Sequence, residues 1–306
     1  MARRKRGRPV HGWLILDKPA GVSSAAAVAK AKWMLDARKA GHAGTLDPAA
    51  TGLLAIAFGE ATKTVAHVMD GEKTYRFVVR WGASTSTDDA EGEVTATSQA
   101  RPGEAAIRAA LNDFRGDIMQ VPPQVSAVKI DGQRAYARVR DGETVVIEPR
   151  PLHVSRLELV ECPDADTAVF EMTCGKGGYV RSIARDLGET LGCLGHVLSL
   201  RRLRSGRFSL DQAIDWERLT GAERGSDLER NLVSVEDGLA DLPVVDCLPG
   251  EIERLRNGNP VMVLPGAEPA EDEPVWIRHA GRAMGLGRVS GGRFHPERIL
   301  VSEPGA

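Results

Sequence analysis

Apolar and polar residues along the chain follow patterns that predict many short strands separated by helices. Runs of apolar residues and strict alternation indicate strands, whereas serine caps and glycine-rich turns before longer segments indicate helices. We predict strands at 10–16, 75–81, about 125–130, 153–160, 167–174 and 195–203. We predict helices at about 24–36, 59–69, 105–114, 179–191 and 213–240.

The segment after Leu242–Pro243 has a different pattern from the rest of the chain. It contains proline and glycine turns, an acidic insert at 268–273, and late strands at 275–278 and 282–288. We therefore predict a large part at 10–242 and a small β-rich module at 243–306. The predicted fold class is α/β of the α+β type, with a mixed, mostly antiparallel sheet in the larger part.

The composition is that of a globular protein, with 306 residues of which 42% are apolar. The formal net charge of -2 does not indicate a nucleic-acid-binding protein, so local clusters of charge matter more than the total. The 4 cysteines form no CxxC pair, and we predict no disulfide framework, metal or cofactor. We find no signal peptide or membrane-spanning run, and we expect a cytoplasmic protein.

Basic residues cluster at two places near the beginning of the chain. Residues 1–9 are predicted to form a disordered tail that either binds a polyanion or only adds solubility. Its cations are Arg3, Arg4, Lys5, Arg6 and Arg8. The first helix carries Lys30, Lys32 and Trp33, and Arg38 and Lys39 follow it. These cations either hold phosphates or belong to an ordinary solvated helix face, and the sequence leaves both interpretations open.

A single carboxylate, Asp47, lies in the glycine-rich stretch GHAGTLDPAATGLL at 41–54. Pro48 biases Asp47 towards an extended or turn conformation, and the small and apolar residues that follow are typical of a buried strand. The stretch therefore predicts a carboxylate on a stiff loop that leads into the core. From these residues alone, Asp47 is either a functional carboxylate or the first residue of an Asx-type turn with Pro48.

The stretch resembles the active-site motif of the bacterial tRNA pseudouridine-55 synthases, the TruB family of pseudouridine synthases. Further matches lie in the family's order at 17–19, 59–63, 75, 176–181 and 200–203. The resemblance implies an isomerase that flips a uridine out of the T loop of tRNA and converts it to pseudouridine without metal or cofactor. It also implies an RNA-binding loop at about 121–151 and a small C-terminal domain related to the PUA fold.

The resemblance also assigns roles to individual residues. It implies that Asp47 acts at the ribose, that Arg181 keeps Asp47 ionised, and that Tyr75 stacks on the uracil. His42 is implied to fill the space that the base vacates. Tyr179 and Leu200 match family positions that line the uridine pocket, and Lys18, Lys63 and Lys129 are candidates for contacts to the RNA backbone or loop. Arg202 belongs to a basic patch at the end of a predicted strand, which either contacts phosphate or forms a solvated edge.

Several of these residues have a simpler explanation when they are considered alone. Arg181 is then a surface helix residue with Arg185 one turn later, and Tyr75 is a core residue at the start of a strand. Asp88, Asp89 and Glu91 lack the spacing of a calcium loop, and we predict that they form a solvated turn.

Two other functions compete with the isomerase. The first is a non-catalytic tRNA-binding or tRNA-folding protein on the same scaffold, which would have no use for a reactive carboxylate. The second is an N-glycosidase, which would release free uracil instead of reattaching it. The expected partner is the T stem-loop of tRNA, and we expect a monomer without an obligate protein partner.

Overall fold

A ten-stranded mixed sheet dominates the part of the chain that the computed structural model describes, namely residues 7–126, 129–130, 133–134, 147–225, 227–264 and 273–300. Its strands are β1 (Gly12–Lys18), β2 (Ala40–His42), β3 (Thr51–Phe58), β4 (Lys73–Trp81), β7 (Gly116–Gln120), β10 (Arg150–Glu161), β11 (Thr167–Cys174), β12 (Gly195–Ser205), β13 (Phe208–Ser209) and β14 (Ile214–Asp215). Two hairpins lie beside it: β5 (Ala83–Thr85) with β6 (Val94–Thr97), and β8 (Lys129–Ile130) with β9 (Gln133–Arg134).

The order of strands across the sheet is β14-β1-β3-β12-β4-β11-β10-β7, with β2 paired to β3 and β13 to β12. Only the β1–β14 and β3–β12 pairs are parallel in this sheet as described. The prediction of a mixed, mostly antiparallel sheet is therefore confirmed. The β3–β12 contact is short, at Thr51–Gly52 and Arg201–Arg202, so the two strands diverge beyond it.

A second, five-stranded sheet follows in the C-terminal region. It comprises β15 (Val244–Asp246), β16 (Val261–Met262), β17 (Val275–His279), β18 (Arg282–Ser290) and β19 (Arg293–Ile299), in the order β15-β17-β18-β19-β16. This confirms a small β-rich part at the C-terminal end of the chain.

Short helices cover the sheets. They are α1 (Ser24–Met34), α2 (Val65–Asp70), α3 (Glu104–Ala110), α4 (Val180–Thr190), α5 (Trp216–Gly221) and α6 (Ile252–Arg256). Helix α1 begins at Ser23, whose hydroxyl accepts from the backbone of Ala26, as expected of an N-cap. Within the described ranges, no helix combines the length and apolar character needed to cross a bilayer.

Burial explains why one strand of the large sheet is almost entirely apolar and another alternates between apolar and polar residues. Strand β3 is apolar and buried from Leu53 to Phe58 because it is covered on both faces, by α1 on one side and by the cluster around Val68 and Phe208 on the other. Strand β4 alternates, with Phe77, Val79 and Trp81 buried against the α3 and α4 side. The other face of β4 is open to solvent, which is why Arg76 and Arg80 alternate with these apolar residues.

The predicted helix at 213–240 is wrong. In its place lie β14, the short helix α5 and two 3-10 turns, Asp227–Asn231 and Asp237–Leu239. Asp215 caps α5 with its side chain, and Gly225 takes φ +75°. The charged pattern was compatible with a long helix, but the caps and glycines divide it.

Two further predictions need correction. The strand predicted at about 125–130 is confirmed only at its end, because residues 125–126 form no strand and Lys129–Ile130 form β8, whereas β7, which the sequence analysis missed, lies just before 121–124. The tail was predicted to be disordered to residue 9, but Arg8 pairs with Ala37 in a β-bridge and forms a 2.6 Å ion pair with Glu229. Residues 1–6 and most of 127–146 lie outside the described residues.

Candidate active site

The loop that carries Asp47, residues 43–50, is fixed through its backbone. The hydroxyl of Ser24, on α1, accepts from the N–H of Leu46 and donates to the carbonyl of Leu46, each at 2.8 Å. The N–H of Ala50 donates to the carbonyl of Asp47 at 3.1 Å. Leu46 and Ala50 are buried, whereas the Asp47 side chain keeps 44% of its surface exposed. The carboxylate is therefore accessible on a backbone that cannot move freely.

The side chain of Arg202 fixes this loop through hydrogen bonds to backbone carbonyls. Its guanidinium is buried and donates to the carbonyls of Leu53 at 2.8 Å, Gly44 at 3.1 Å and Thr45 at 3.4 Å. Gly52 allows the backbone of Arg202 to lie close to β3, because a Cβ at position 52 would lie 2.3 Å from the Arg202 carbonyl oxygen. Gly52 also has φ +96°, which other residues rarely adopt.

Lys18 holds the other side of the loop. It is fully buried, and its ammonium donates to the carbonyls of Pro19 and Val22 at 2.8 Å and of Pro48 at 3.1 Å. Burial lowers the pKa of Lys18. We had predicted that Lys18 and Arg202 contact substrate. In the structure both side chains are instead buried, and their donors are directed at backbone carbonyls of the Asp47 loop and of the segments beside it.

Arg181, at the start of α4, contacts Asp47 directly. Its Nη2 lies 3.0 Å from Oδ2 of Asp47, and its Nη1 donates to the carbonyls of Thr87 at 3.0 Å and Val125 at 3.1 Å. Arg181 is only 7% exposed, so it is not the surface helix residue of the simpler explanation. A fixed guanidinium beside a carboxylate favours the ionised form of that carboxylate.

The turn at Asp88 and Asp89 is part of the same site, contrary to the prediction of a solvated turn. Oδ2 of Asp89 lies 3.7 Å from Nε of Arg181, and Oδ2 of Asp88 lies 3.1 Å from Nη1 of Arg185. Both aspartate side chains are only 15% exposed. Burial raises the pKa of Asp88, and the guanidinium groups of Arg185 and Arg181 oppose that shift.

Sequence reasoning missed Asp89 because no spacing rule connects it with Arg181, which lies 92 positions later. The turn reaches the site by pairing with β12, where the N–H of Val197 donates to the carbonyl of Asp88 at 3.0 Å. The one sequence feature that indicated a partner for this acidic turn was the i,i+4 spacing of Arg181 and Arg185, since it places two cations on one helix face.

A cleft with about 430 Å³ of empty space, open to solvent, lies beside Asp47. It lies where β3 and β12 diverge, between the Asp47 loop and the Asp89 turn. Asp47, Asp89 and Arg181 form its polar wall, and residues 198–200 of β12 form an opposite wall. Leu200, predicted to line the uridine pocket, is therefore at the cleft.

Tyr75 lies deeper, on the β4 strand beside β12. It is opposite Arg202 in the β4–β12 pair and opposite Met172 in the β4–β11 pair. Burial raises the pKa of the Tyr75 phenol, and the neighbouring Arg202 opposes the shift. The phenol is therefore protonated at neutral pH, and it packs against the apolar cluster below the site.

His42 and Tyr179 lie at the ends of elements that border the site. His42 ends β2, opposite Ile56, and burial together with the charge of Arg202 lowers its pKa, so its ring is neutral. Its Nδ1 is buried without a hydrogen-bond partner among the described residues. Tyr179 precedes α4, and its N–H donates to Oε1 of Gln120 at 2.9 Å.

Comparison with known proteins identifies the family. The N-terminal domain profile of TruB family pseudouridylate synthases matches residues 32–180, and the profile of the tRNA pseudouridylate synthase B C-terminal domain matches residues 181–240. The chain belongs to the TruB family of pseudouridylate synthases.

Curated relatives of this TruB-family chain are similar over their full length. The tRNA pseudouridine synthase B of Dinoroseobacter shibae is 57% identical, with 98% of each chain covered. The protein of the same name from Ruegeria pomeroyi is 55% identical over 98% of this chain and 99% of its own. That of Agrobacterium fabrum is 47% identical over 97% of each.

Solved structures show that the TruB fold extends to more distant proteins. A chain in a crystal structure of a Cbf5-Nop10-Gar1 complex has a TM-score of 0.73 at 23% identity, covering 98% of this chain and 91% of that chain. A structure of an H/ACA RNP bound to a substrate RNA containing 2'-deoxyuridine gives a TM-score of 0.71 at 21% identity, covering 99% and 92%. At these identities the likeness concerns the fold.

Lys63, one of the lysines predicted to contact RNA in this TruB-family protein, makes contacts within the protein. Lys63 forms a 2.6 Å ion pair with Glu60 and donates to the carbonyl of Ile299 at 2.8 Å, so it joins the large sheet to the small one. The side chain of Lys129 lies outside the described residues.

Proposed function

We propose that the protein isomerises the uridine at position 55, in the T loop of tRNA, to pseudouridine. Membership of the TruB family and the names of the relatives support pseudouridylation of tRNA. One observation carries the chemistry. The half-exposed carboxylate of Asp47 lies 3.0 Å from the buried guanidinium of Arg181, beside a cleft of about 430 Å³.

The reaction needs a group that tolerates positive charge at the ribose while the base is detached. The bond between N1 of uracil and C1′ breaks, and uracil carries the electron pair away as an anion. A carboxylate next to C1′ either forms a bond to that carbon or stabilises its oxocarbenium character. The base then rotates and reattaches through C5, and the proton lost from C5 is balanced by the proton gained at N1.

The remaining roles rest on the family resemblance, and the positions of the side chains near the Asp47 loop are compatible with them. Flipping a base out of a stacked loop costs a few kcal/mol, which stacking on aromatic and apolar groups offsets. We propose that Tyr75 stacks on the uracil and assists proton transfer from C5, and that Tyr179 and Leu200 line the uridine pocket. The neutral ring of His42 is suited to replace the vacated base, since it brings no charge into the stack.

We assign catalysis to residues 10–242 and propose that the β-rich part at 243–306 is a PUA-like module that contacts RNA. The loop at about 121–151 is proposed to close over the bound T arm. Lys18 and Arg202 act indirectly in this proposal, because they position the loop that carries Asp47.

Pseudouridine mapping tests this function directly. Purified protein is incubated with unmodified tRNA transcripts, and pseudouridine is located by carbodiimide derivatisation and primer extension. We expect one new stop in the T loop, absent with Asp47→Asn and present with Asp117→Asn. Asp117 is a suitable control because its side chain is 93% exposed and it lies on the edge strand β7.

Each alternative function has its own result. Tight tRNA binding without any stop would support the non-catalytic binding protein, and Asp47 would then be a structural turn residue. Free uracil among the products would identify an N-glycosidase. Equal activity of Asp47→Asn and the wild type would remove Asp47 from the mechanism.

A further inference from the structure

Trp33 is an exposed aromatic residue with two cations close to its ring at the end of α1. More than half of its surface is exposed, at 52%. The Lys30 ammonium lies 4.9 Å from the centre of its ring, and the Arg224 guanidinium carbon lies 5.3 Å from it. Both distances are within the range of cation–π contacts. The ring is therefore an ordered aromatic platform bordered by positive charge.

The surroundings of Trp33 are rigid. Arg224 forms a 2.6 Å ion pair with Asp36, and the N–H of Gly225 donates to the carbonyl of Met34 at 2.7 Å. The turn at 222–225 is thus attached to the end of α1. A platform on a fixed helix loses little conformational entropy when it binds a ligand.

Further exposed cations lie on the last turn of α1 and in the segment that follows it. Lys32, Arg38 and Lys39 are exposed, and the Arg38 guanidinium donates to the carbonyl of Gly7 at 2.7 Å. The chain therefore enters the described structure beside residues 36–38, which follow α1, directly after the basic run at residues 3–6. The basic residues at this end of α1 contrast with the net charge of -2 for the whole chain.

An exposed aromatic ring among cations matches the chemistry of unpaired RNA. Proteins that bind single-stranded nucleic acid combine positive charge along the backbone with aromatic rings on which bases stack. A membrane surface would require an apolar helix face, but the apolar residues of α1 (Ala27, Ala31 and Met34) are buried in the core. The ring and its cations therefore fit RNA better than lipid.

The position relative to Asp47 indicates which part of the RNA is in reach. Ser24 contacts the Asp47 loop, and Trp33 lies nine residues further along the same helix. At about 1.5 Å per residue, this places Trp33 about 14 Å along the helix from that contact. A nucleotide stacked on Trp33 is thus separate from the one in the cleft.

We propose that Lys30, Lys32, Trp33, Arg38 and Arg224, here called the Trp33 surface, bind an unpaired base and its phosphates outside the T arm of the substrate tRNA. This inference rests on the proposed function, since it assumes that the T loop occupies the Asp47 cleft. It resolves the choice that the sequence left open between a phosphate-binding helix face and a solvated one.

The test compares two RNAs, a full-length unmodified tRNA transcript and an isolated T-arm stem-loop. We expect Trp33→Ala to weaken binding of the full-length transcript about tenfold, with a matching rise in KM. Binding of the stem-loop should stay within about twofold. Trp33→Phe should restore most of the affinity, because it keeps a ring for stacking.

The charges are tested by the salt dependence of binding. The double variant Lys30→Ala with Lys32→Ala removes two cations and should lower the slope of log Kd against log salt for full-length tRNA by about 1.5. Arg156→Ala is the control, since Arg156 is half-exposed on the open face of the large sheet and pairs with Glu158. It should leave both affinity and slope as in the wild type.

The outcomes separate this inference from the proposed function. If Trp33→Ala binds both RNAs like the wild type, the Trp33 surface is not an RNA contact. An equal loss for the stem-loop would overturn the assignment to RNA outside the T arm. Wild-type protein that forms no pseudouridine in the same assay would instead overturn the proposed function.

Discussion

Arg181 carries a buried positive charge that faces two carboxylates and two carbonyls. Asp47, Asp89 and the carbonyls of Thr87 and Val125 all lie around one guanidinium. A planar group with five donors in a fixed arrangement can satisfy such a set, whereas an ammonium group cannot. The geometry of the donors therefore matters at this residue as much as the charge.

Arg181→Lys tests this distinction. The variant keeps the charge but leaves some of the four acceptors without a donor, so Asp47 loses its fixed orientation. We expect the single-turnover rate constant for pseudouridine formation to fall about 100-fold. This corresponds to an increase of about 3 kcal/mol in the activation free energy. Arg156→Lys on the exposed sheet face should retain full activity. Wild-type turnover by Arg181→Lys would show that only the charge matters.

The neutral ring of His42 predicts a dependence of stability on pH. Burial and Arg202 lower its pKa in the folded protein below the ordinary value of 6.5, so the unfolded chain binds more protons in that range. The His42 contribution to stability is therefore complete above about pH 6.5 and is lost as the pH falls towards the folded pKa.

We expect the wild type to lose more stability than His42→Gln between about pH 7.5 and about pH 5.5. Urea unfolding midpoints at both pH values measure the difference. His67 also has a pKa lowered by burial and is present in both proteins, so it cancels in the comparison. Exposed His153→Gln is the control and should behave like the wild type. Parallel losses in wild type and His42→Gln would contradict the prediction.

The beginning of α1 connects helix formation to the site. Ser23 caps the helix with its side chain at the surface, whereas the next residue, Ser24, is buried and bridges to the Asp47 loop. Two adjacent serines thus serve different purposes. The sequence predicted a cap at one of them but gave no reason to connect the other with Leu46, 22 positions later.

Ser23→Ala and Ser24→Ala should therefore have different effects. Loss of the cap at Ser23 should cost about 1 kcal/mol of stability and leave kcat unchanged. Loss of the buried hydroxyl at Ser24 removes two hydrogen bonds from Leu46, which should cost about 2 kcal/mol and also lower kcat. Urea unfolding and single-turnover assays of both variants measure this. Equal kcat in the two variants would show that Ser24 does not position the loop.

At the scale of the whole molecule, the two sheets are joined by a small apolar cluster and a few polar contacts. Trp276 on β17 packs with Leu239, Leu286 and Leu300, and the N–H of Ala283 donates to Glu236 at 2.7 Å. The 2.8 Å contact from Lys63 to Ile299 adds a second point of attachment. Most of the joining energy comes from the buried side chains, because exposed polar pairs contribute little.

Trp276→Ala should loosen the small sheet without unfolding the large one. Replacing a buried tryptophan by alanine costs about 3–5 kcal/mol, and the loss is confined to the elements that it joins. Hydrogen exchange should become faster at 244–300 and stay slow in β1 and β3. The exposed Trp33→Ala variant should show wild-type exchange in both regions. Uniformly faster exchange across both sheets would show that the molecule unfolds as one unit.

The sequence by itself determined the strands and helices that have strong local signals. The family resemblance that it carries pointed to Asp47, Arg181 and Leu200, which line one cleft in the structure. Period-two alternation fixes which face of β4 is buried, and a serine cap fixes the beginning of α1, because these preferences act within a few residues. The long helix predicted at 213–240 failed, since a charged pattern does not reveal where caps and glycines divide it.

Only the tertiary structure decided which polar side chains lie at the site and which are buried beneath it and fix its backbone. Lys18 and Arg202 were expected at the substrate and are buried under the Asp47 loop, whereas Asp89 was expected in solvent and lies beside Arg181. A lysine or aspartate in a turn has the same local sequence whether it faces water or a buried partner. Burial and pairing depend on strands that are far apart in the sequence but adjacent in the fold, such as β3 and β12. Local sequence patterns do not encode which strands become neighbours.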